Sequence, residues 1–70
     1  MVIISVIFSK KKFSKKKARE YLKEKNLKAM KGAHVTEKYY KYRINKAKKN
    51  KKFQTWSMST PGIKYIIMLN

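Results

Sequence analysis

The 70-residue sequence has no cysteine, no aspartate, one histidine and three glutamates. Without cysteine, a disulfide framework, a zinc ribbon and a thiol nucleophile are all excluded. Without aspartate, and with one histidine, a Ser-His-Asp triad and a carboxylate metal cage are excluded as well. The composition therefore predicts a protein that is not an enzyme and has neither a metal site nor a cofactor.

Glycine and proline are also scarce, at two residues and one residue. A disordered basic arm is typically rich in these residues and in serine. Here hydrophobic residues make up 43% of the chain and aromatic residues 13%. The sequence predicts one small folded domain over residues 1–70, because 70 residues are too few for two domains.

Long hydrophobic runs are missing too. Residues 2–8 are apolar except for Ser5, but this run is far shorter than the roughly 20 residues that span a bilayer. No basic segment precedes the run, and no small-residue cleavage site follows it. We expect a buried central strand, no export by a signal peptide and no membrane partner. A membrane-active cationic peptide is a lower-ranked alternative, because the one predicted helix is short.

A helix is predicted after residue 14. Ser14 is a candidate N-cap, and Ala18, Tyr21 and Leu22 fall on one stripe. Asn26 is the expected stop signal. Lysines 15–17 in the first turn oppose the helix dipole, which suggests that they serve a partner, although a solvated face is the default interpretation.

Strands are predicted on both sides of a lysine-rich loop. Residues 38–44 alternate, so one face carries Tyr40, Tyr42 and Ile44 and the other carries Tyr39, Lys41 and Arg43. A short strand at residues 28–31 and a turn at Gly32 are expected before this segment. Residues 45–52 read as an exposed, mobile loop, and residues 52–58 and 63–69 as strands joined by a turn at 59–62. We expect Trp56 and Ile66 to meet across this hairpin.

The fold class is therefore α+β, with one helix packed on a small, mostly antiparallel sheet of three to five strands.

Positive charge dominates the chain, with 20 Lys and Arg residues and a formal net charge of +17. Such a chain favours a polyanionic partner, since lysine and arginine neutralise phosphates and aromatic rings stack on bases. Because 18 of these residues are lysine, we expect the protein to contact the phosphate backbone of the nucleic acid with little sequence preference. The candidate nucleic-acid-binding residues are Lys10, Lys11, Lys12, Lys15, Lys16, Lys17, Tyr39, Lys41, Arg43, Lys46, Lys48, Lys49, Lys51 and Lys52. His34 and Glu37 are three residues apart, but no nucleophile accompanies them, so Thr36 and Glu37 are interpreted as residues that satisfy backbone donors in a turn rather than as part of a catalytic group.

Several segments, taken in order, match a known kind of domain. Residues 2–14, 17–23, 26–28, 34–44 and 61–67 resemble a short basic domain that recurs in large double-stranded DNA viruses of eukaryotes and in some phages. Its members often have glycine where Asn26 stands and asparagine where Lys38 stands. The resemblance implies a strand-helix-strand unit closed by a C-terminal strand, and a viral setting without a known reaction.

Two functions follow from these expectations. The first is a non-enzymatic, viral protein that binds DNA or RNA through phosphates, in the virion or in the nucleus or cytoplasm of an infected cell. The alternative is a structural or interaction module in a virion or other assembly, which binds capsid components or other acidic proteins. A homodimer through a sheet edge is compatible with either.

Overall fold

The apolar segment near the start of the chain forms the centre of a five-stranded antiparallel sheet. The structure, a computed structural model, describes residues 2–30 and 34–69. Its elements are β1 (Val2–Ser9), α1 (Lys15–Glu24), β2 (His34–Val35), β3 (Tyr39–Arg43), β4 (Lys52–Ser57) and β5 (Ile63–Leu69). The strand order is β2-β3-β1-β5-β4, and every neighbouring pair is antiparallel. The predicted α+β class and the central position of β1 are confirmed.

The ends of α1 are fixed by the residues that the sequence indicated. At the start, the Ser14 side-chain oxygen accepts a hydrogen bond from the Lys17 backbone N–H at 3.2 Å. At the other end, Asn26 has a φ of 58°. The N–H groups of Asn26 and Leu27 then donate to the carbonyls of Lys23 and Leu22, at 3.1 and 2.8 Å. This pair of bonds is a Schellman motif, which satisfies carbonyls at the end of a helix.

Phe8 on β1 is the hub of the core. Its ring is fully buried and makes edge-to-face contacts with Phe13, Tyr21 and Tyr42, at centroid distances of 5.2, 5.6 and 5.7 Å. These partners come from the β1–α1 turn, from α1 and from β3. Edge-to-face pairs add to the stability gained from burial, so one side chain joins three parts of the fold.

The strand register gives the sheet two different faces. Val6 lies opposite Tyr42 on β3 and Tyr65 on β5, and all three are buried. Ala18 and Leu22 of α1 belong to the same core cluster, so this is the helix face. Ile7 lies opposite Lys41 and Lys64, and these residues define the opposite, open face. The predicted faces of β3 are confirmed, with Tyr42 buried and Tyr39 and Arg43 exposed.

The expectation that Trp56 and Ile66 meet across the hairpin is wrong. Trp56 lies opposite Tyr65, and Ile66 lies opposite Thr55. The Met58 N–H donates to the Ile63 carbonyl at 3.1 Å, so the hairpin closes one residue away from the expected register. Because side chains alternate between faces, this slip puts Trp56 and Ile66 on opposite faces.

The segment before β2 also differs from expectation. Residues 28–30 form no strand, although the Met30 N–H donates to the Arg43 carbonyl at 2.8 Å. A single bond of this kind is not enough to build a ladder. Lys31, the last residue of that expected strand, and the predicted turn at Gly32 lie outside the described residues.

The predicted turn at residues 59–62 is confirmed, and it approaches the β1–α1 turn closely. Gly62 has a φ of +88°, a value that a type II turn requires at its third position. Its carbonyl accepts from the Ser9 N–H at 2.8 Å. A Cβ atom on Gly62 would lie 2.7 Å from the Lys12 Cβ, so both the backbone conformation and the packing require glycine.

Candidate nucleic-acid interface

Six lysines lie where β1 passes into α1, and we call them the junction cluster. They are Lys10, Lys11, Lys12, Lys15, Lys16 and Lys17, of which all but the half-buried Lys10 are exposed. The turn that carries the first three is held by hydrogen bonds from the Phe13 N–H to the Ser9 carbonyl and from the Lys10 N–H to the Lys38 carbonyl. The Lys10 ammonium group also lies 5.3 Å from the centre of the Tyr40 ring. The backbone of this part of the cluster is therefore well anchored.

Tyr39, Lys41 and Arg43 follow one another along β3 on the open face, and we call them the β3 line. Alternate residues on a strand are about 6.6 Å apart along its axis. Tyr39 is 42% exposed, Arg43 is exposed and Lys41 is half-buried. Tyr39 pairs with Ser9, the last residue of β1 before the junction cluster. The β3 line thus begins beside that cluster.

Five further lysines lie in and just after the loop between β3 and β4, and we call them the loop cluster. They are Lys46, Lys48, Lys49, Lys51 and Lys52, and all are exposed. The sequence showed no clear anchor for this loop, but the Asn45 side-chain amide donates to the Ile3 carbonyl at 2.8 Å. This bond ties the start of the loop to β1.

The two lysine clusters lie at opposite ends of the sheet. The junction cluster is next to Tyr39 at the start of β3, whereas the loop cluster follows Arg43 at its end. The β3 line connects them across the open face, as the sequence suggested. The helical part of the junction cluster, Lys15 to Lys17, belongs to the layer on the other side of the sheet. The candidate residues therefore form a path along β3 with a branch onto α1.

Three basic residues of this surface were missing from the sequence prediction. Lys64 shares a row of the open face with Ile7 and Lys41. The alternation in β5, where its neighbours Ile63 and Tyr65 are buried, would have identified it. Arg19 and Lys23 line a shallow depression on α1 together with Lys15, Lys16 and one acidic residue, Glu20. In the sequence, Arg19 follows Lys16 by three residues and Lys15 by four, and Lys23 follows Arg19 by four. On a helix this spacing places the four basic side chains next to one another, and it was the signal available before the structure.

The exposed aromatic side chains do not form a continuous stacking surface. Tyr39 and Phe53 are on the open face but on different strands and at opposite ends of it, and Trp56 is on the helix face of β4. At the centre of the open face Ser5 is buried, and Ile7 and Ile66 are half-buried. Base stacking requires aromatic rings, so this centre offers aliphatic contact only.

Acidic and histidine side chains contribute little to the arrangement. Glu37 lines a small depression with Lys10, Lys11 and Lys38. Thr36 fixes the β2–β3 turn, because its hydroxyl accepts from the Tyr39 N–H at 3.0 Å and its N–H donates to the Tyr39 carbonyl at 2.9 Å. Within residues 2–30 and 34–69, no group of three or more histidine and acidic side chains comes together.

Comparison with known proteins found no relative of this chain. No family model matches the chain, and no curated protein or solved structure matches it significantly. The resemblance to the viral domain therefore rests on the sequence segments alone. As to membranes, none of the helical structure in the described part of the chain is long and apolar enough to cross a bilayer.

Proposed function

We propose that this protein is a non-enzymatic nucleic-acid-binding protein that contacts phosphates with little sequence preference. The main support for this proposal is the row of basic residues formed by the junction cluster, the β3 line and the loop cluster, which we call the basic path. It runs from one end of the sheet to the other on side chains that are mostly exposed. A polyanion lying along β3 would meet positive charge over this whole distance.

The size of the molecule sets the length of nucleic acid that one copy covers. The longest dimension of the described chain is 33 Å, which is close to the roughly 34 Å of one turn of duplex DNA. One copy therefore covers at most about one duplex turn. A genome-length polymer would bind many copies side by side, which suits condensation or accompaniment of packaged nucleic acid.

The kind of basic residue supports contact with the backbone rather than with base edges. Arg43 is the only arginine along the path, and the other, Arg19, lies on α1. Lysine acts as a hydrated point charge, whereas readout of guanine favours the bidentate guanidinium group. DNA and RNA are both compatible with this surface. A viral setting, in a virion or an infected cell, is the part of the proposal that the sequence resemblance supports.

The decisive experiment is a salt titration. Binding to random-sequence duplex DNA and RNA should be measured by fluorescence anisotropy over a series of salt concentrations. We expect log K to fall linearly with log salt, with a slope near −0.9 for each neutralised phosphate on duplex DNA. Scrambling the sequence should leave the affinity unchanged. A flat salt response would contradict the proposal.

A second candidate function is binding to an acidic protein surface, such as a capsid component. The observation in its favour is the aliphatic centre of the open face, where Ile7 and Ile66 lie among Lys41, Arg43 and Lys64. A partner that presents apolar side chains with acidic neighbours would complement this pattern better than a phosphate backbone does. This function predicts weak DNA affinity and co-purification with acidic proteins, so the same titration separates the two.

A further inference from the structure

The outer edge of β4 is an unprotected strand edge. Within residues 2–30 and 34–69, β4 pairs with β5 on one side only, and all six of its residues are exposed. Natural proteins usually block such edges with lysine, proline or a bulge, because free backbone groups can pair with another chain. Of these devices β4 has only Lys52 at its first residue, and residues 53–57 contain none, although the chain has 18 lysines.

The hydrogen-bond pattern identifies the backbone groups that point outward. The Met58 N–H donates to the Ile63 carbonyl, and these two residues lie opposite each other when the β4–β5 register is extended, so they mark a hydrogen-bonded position of the ladder. Bonded and non-bonded pairs alternate along an antiparallel ladder. Lys52, Gln54 and Trp56 therefore bond to β5. The N–H and C=O groups of the remaining residues face away from the sheet: Phe53, Thr55 and Ser57.

The distribution of charge indicates which chain can cover this edge. Two copies of a protein with a charge of +17 repel one another. They can approach at low cost only where basic residues are sparse. Residues 53–69 carry one charged side chain, Lys64, whereas residues 10–17 alone carry six. The β4 edge is thus a part of the described surface where a second copy meets little repulsion.

We propose that β4 pairs antiparallel with β4 of a second copy, around a two-fold axis at Thr55. The two sheets then become one continuous sheet of ten strands. Such an interface is isologous, so the same patch serves both copies. This proposal does not depend on nucleic-acid binding, since its hydrogen bonds come from Phe53, Thr55 and Ser57, which are not part of the basic path.

In one register of the two β4 strands, every outward-facing N–H and C=O group forms a hydrogen bond with the partner strand. Thr55 lies opposite the partner's Thr55, and Phe53 lies opposite the partner's Ser57. The three outward-facing residues of each strand then form six hydrogen bonds in total. On the open face, the large Phe53 ring comes beside a small side chain, and the two threonines form a cross-strand pair of a favourable kind. Lys52 faces the partner's Met58, so no two charges are opposed.

Disulfide trapping tests this register directly, because the protein has no cysteine of its own. Residues in a hydrogen-bonded antiparallel pair have Cα atoms about 5.5 Å apart, within the range that a disulfide bridges. A Thr55→Cys variant should form a covalent dimer when treated with diamide. Ser57→Cys and Phe53→Cys should each remain monomeric alone and cross-link when mixed. Equal cross-linking of all three single variants would overturn the proposal.

Sedimentation at about 0.5 M salt, where charges are strongly screened, supplies a second test on nuclease-treated protein. The wild type should sediment at twice the mass of one chain. Thr55→Pro removes an outward N–H without touching the β4–β5 ladder, so it should be monomeric with an unchanged far-UV circular dichroism spectrum. Thr55→Val, the matched control, keeps this N–H and should remain dimeric.

Two results would refute the dimer. One is a wild type that stays monomeric at every concentration. The other is an acidic peptide that protects the amides of Phe53, Thr55 and Ser57 from hydrogen exchange while the chain remains monomeric, because the edge would then serve a different protein.

Discussion

The hydroxyl groups of Tyr21 on α1 and Tyr65 on β5 lie 2.8 Å apart and form a hydrogen bond between the helix and the sheet. Tyr65 is 7% exposed and belongs to the core. The bond satisfies two polar groups that would otherwise lose their water on folding. The only covalent path between these tyrosines runs through 43 intervening residues, so the bond joins distant parts of the chain.

Removing one member of this pair should destabilise the fold. We expect Tyr65→Phe to lower the free energy of unfolding by about 1 kcal/mol, because it leaves the Tyr21 hydroxyl without its partner. In a double-mutant cycle with Tyr21→Phe, the combined loss should be smaller than the sum. Urea denaturation measures all four proteins. Tyr42→Phe is the matched control: its hydroxyl is buried with no partner among the described residues, so its removal should cost little.

The same tyrosine should make stability depend on alkaline pH. Burial first, and then the hydrogen bond with Tyr21, raise the pKa of Tyr65 above its ordinary value of 10.0. Folding therefore favours the protonated phenol, and this contribution is complete below pH 10 and is lost as the pH rises further. The stability advantage of wild type over Tyr65→Phe should therefore shrink as the pH rises above 10. A constant difference would contradict this.

Gly62→Ala should be strongly destabilising for its size. The alanine would have to adopt a φ near +88°, and its Cβ would press on the Lys12 side chain at 2.7 Å. Strain of this kind costs roughly 1–3 kcal/mol. Thermal unfolding should show a clear loss for Gly62→Ala and almost none for Ser59→Ala, an exposed position in the same turn. Equal melting temperatures for the two variants would show that the turn relaxes freely.

Lys17→Glu should stabilise the protein while weakening nucleic-acid binding. Lys17 is three residues after the N-cap Ser14, where glutamate completes a capping box and complements the helix dipole. We expect a gain of about 0.5–1 kcal/mol and a lower affinity for duplex DNA. Lys23→Glu makes the same charge change in the last turn, where the dipole favours a positive charge, so its gain should be smaller or absent. If Lys17→Glu leaves DNA affinity intact, the junction cluster is not part of the interface.

The β3 line should carry measurable phosphate contacts. The double variant Lys41→Gln and Arg43→Gln should reduce the steepness of the salt dependence by about 1.8, since each phosphate of duplex DNA that is no longer neutralised accounts for about 0.9. A control with the same reduction in charge is Lys25→Gln with Lys28→Gln, two exposed positions outside the predicted set and outside the basic surface described above. The control should leave the slope nearly unchanged. Equal slopes for both double variants would place binding elsewhere on the surface.

Local patterns predicted most of the fold because the relevant signals lie within a few residues of one another. The helix of Lys15–Glu24 was bounded by Ser14 and Asn26, which act through their own backbone neighbourhood. The alternation around Tyr42 correctly assigned both faces of β3. The hairpin register was missed by one residue, since it depends on how the turn before Ile63 closes. That closure is a three-dimensional property that residue types do not determine.

The candidate site was predictable in composition but not in arrangement. The lysine clusters are obvious as runs along the chain, but their location at opposite ends of one sheet follows from strand order. Lys64 was overlooked because it is a single basic residue, although it shares a row with Lys41. The free edge beside Thr55 was equally invisible, because only the strand order shows that β4 has one neighbour.

The central position of β1 has a consequence for how the molecule is made. This strand is synthesised before β5, one of its two neighbours, which begins only at Ile63. Pairing over such a separation is slow, because a long loop must close before its contacts stabilise it. The sheet therefore cannot be completed until β5 has been synthesised, and until then one edge of its central strand has no partner.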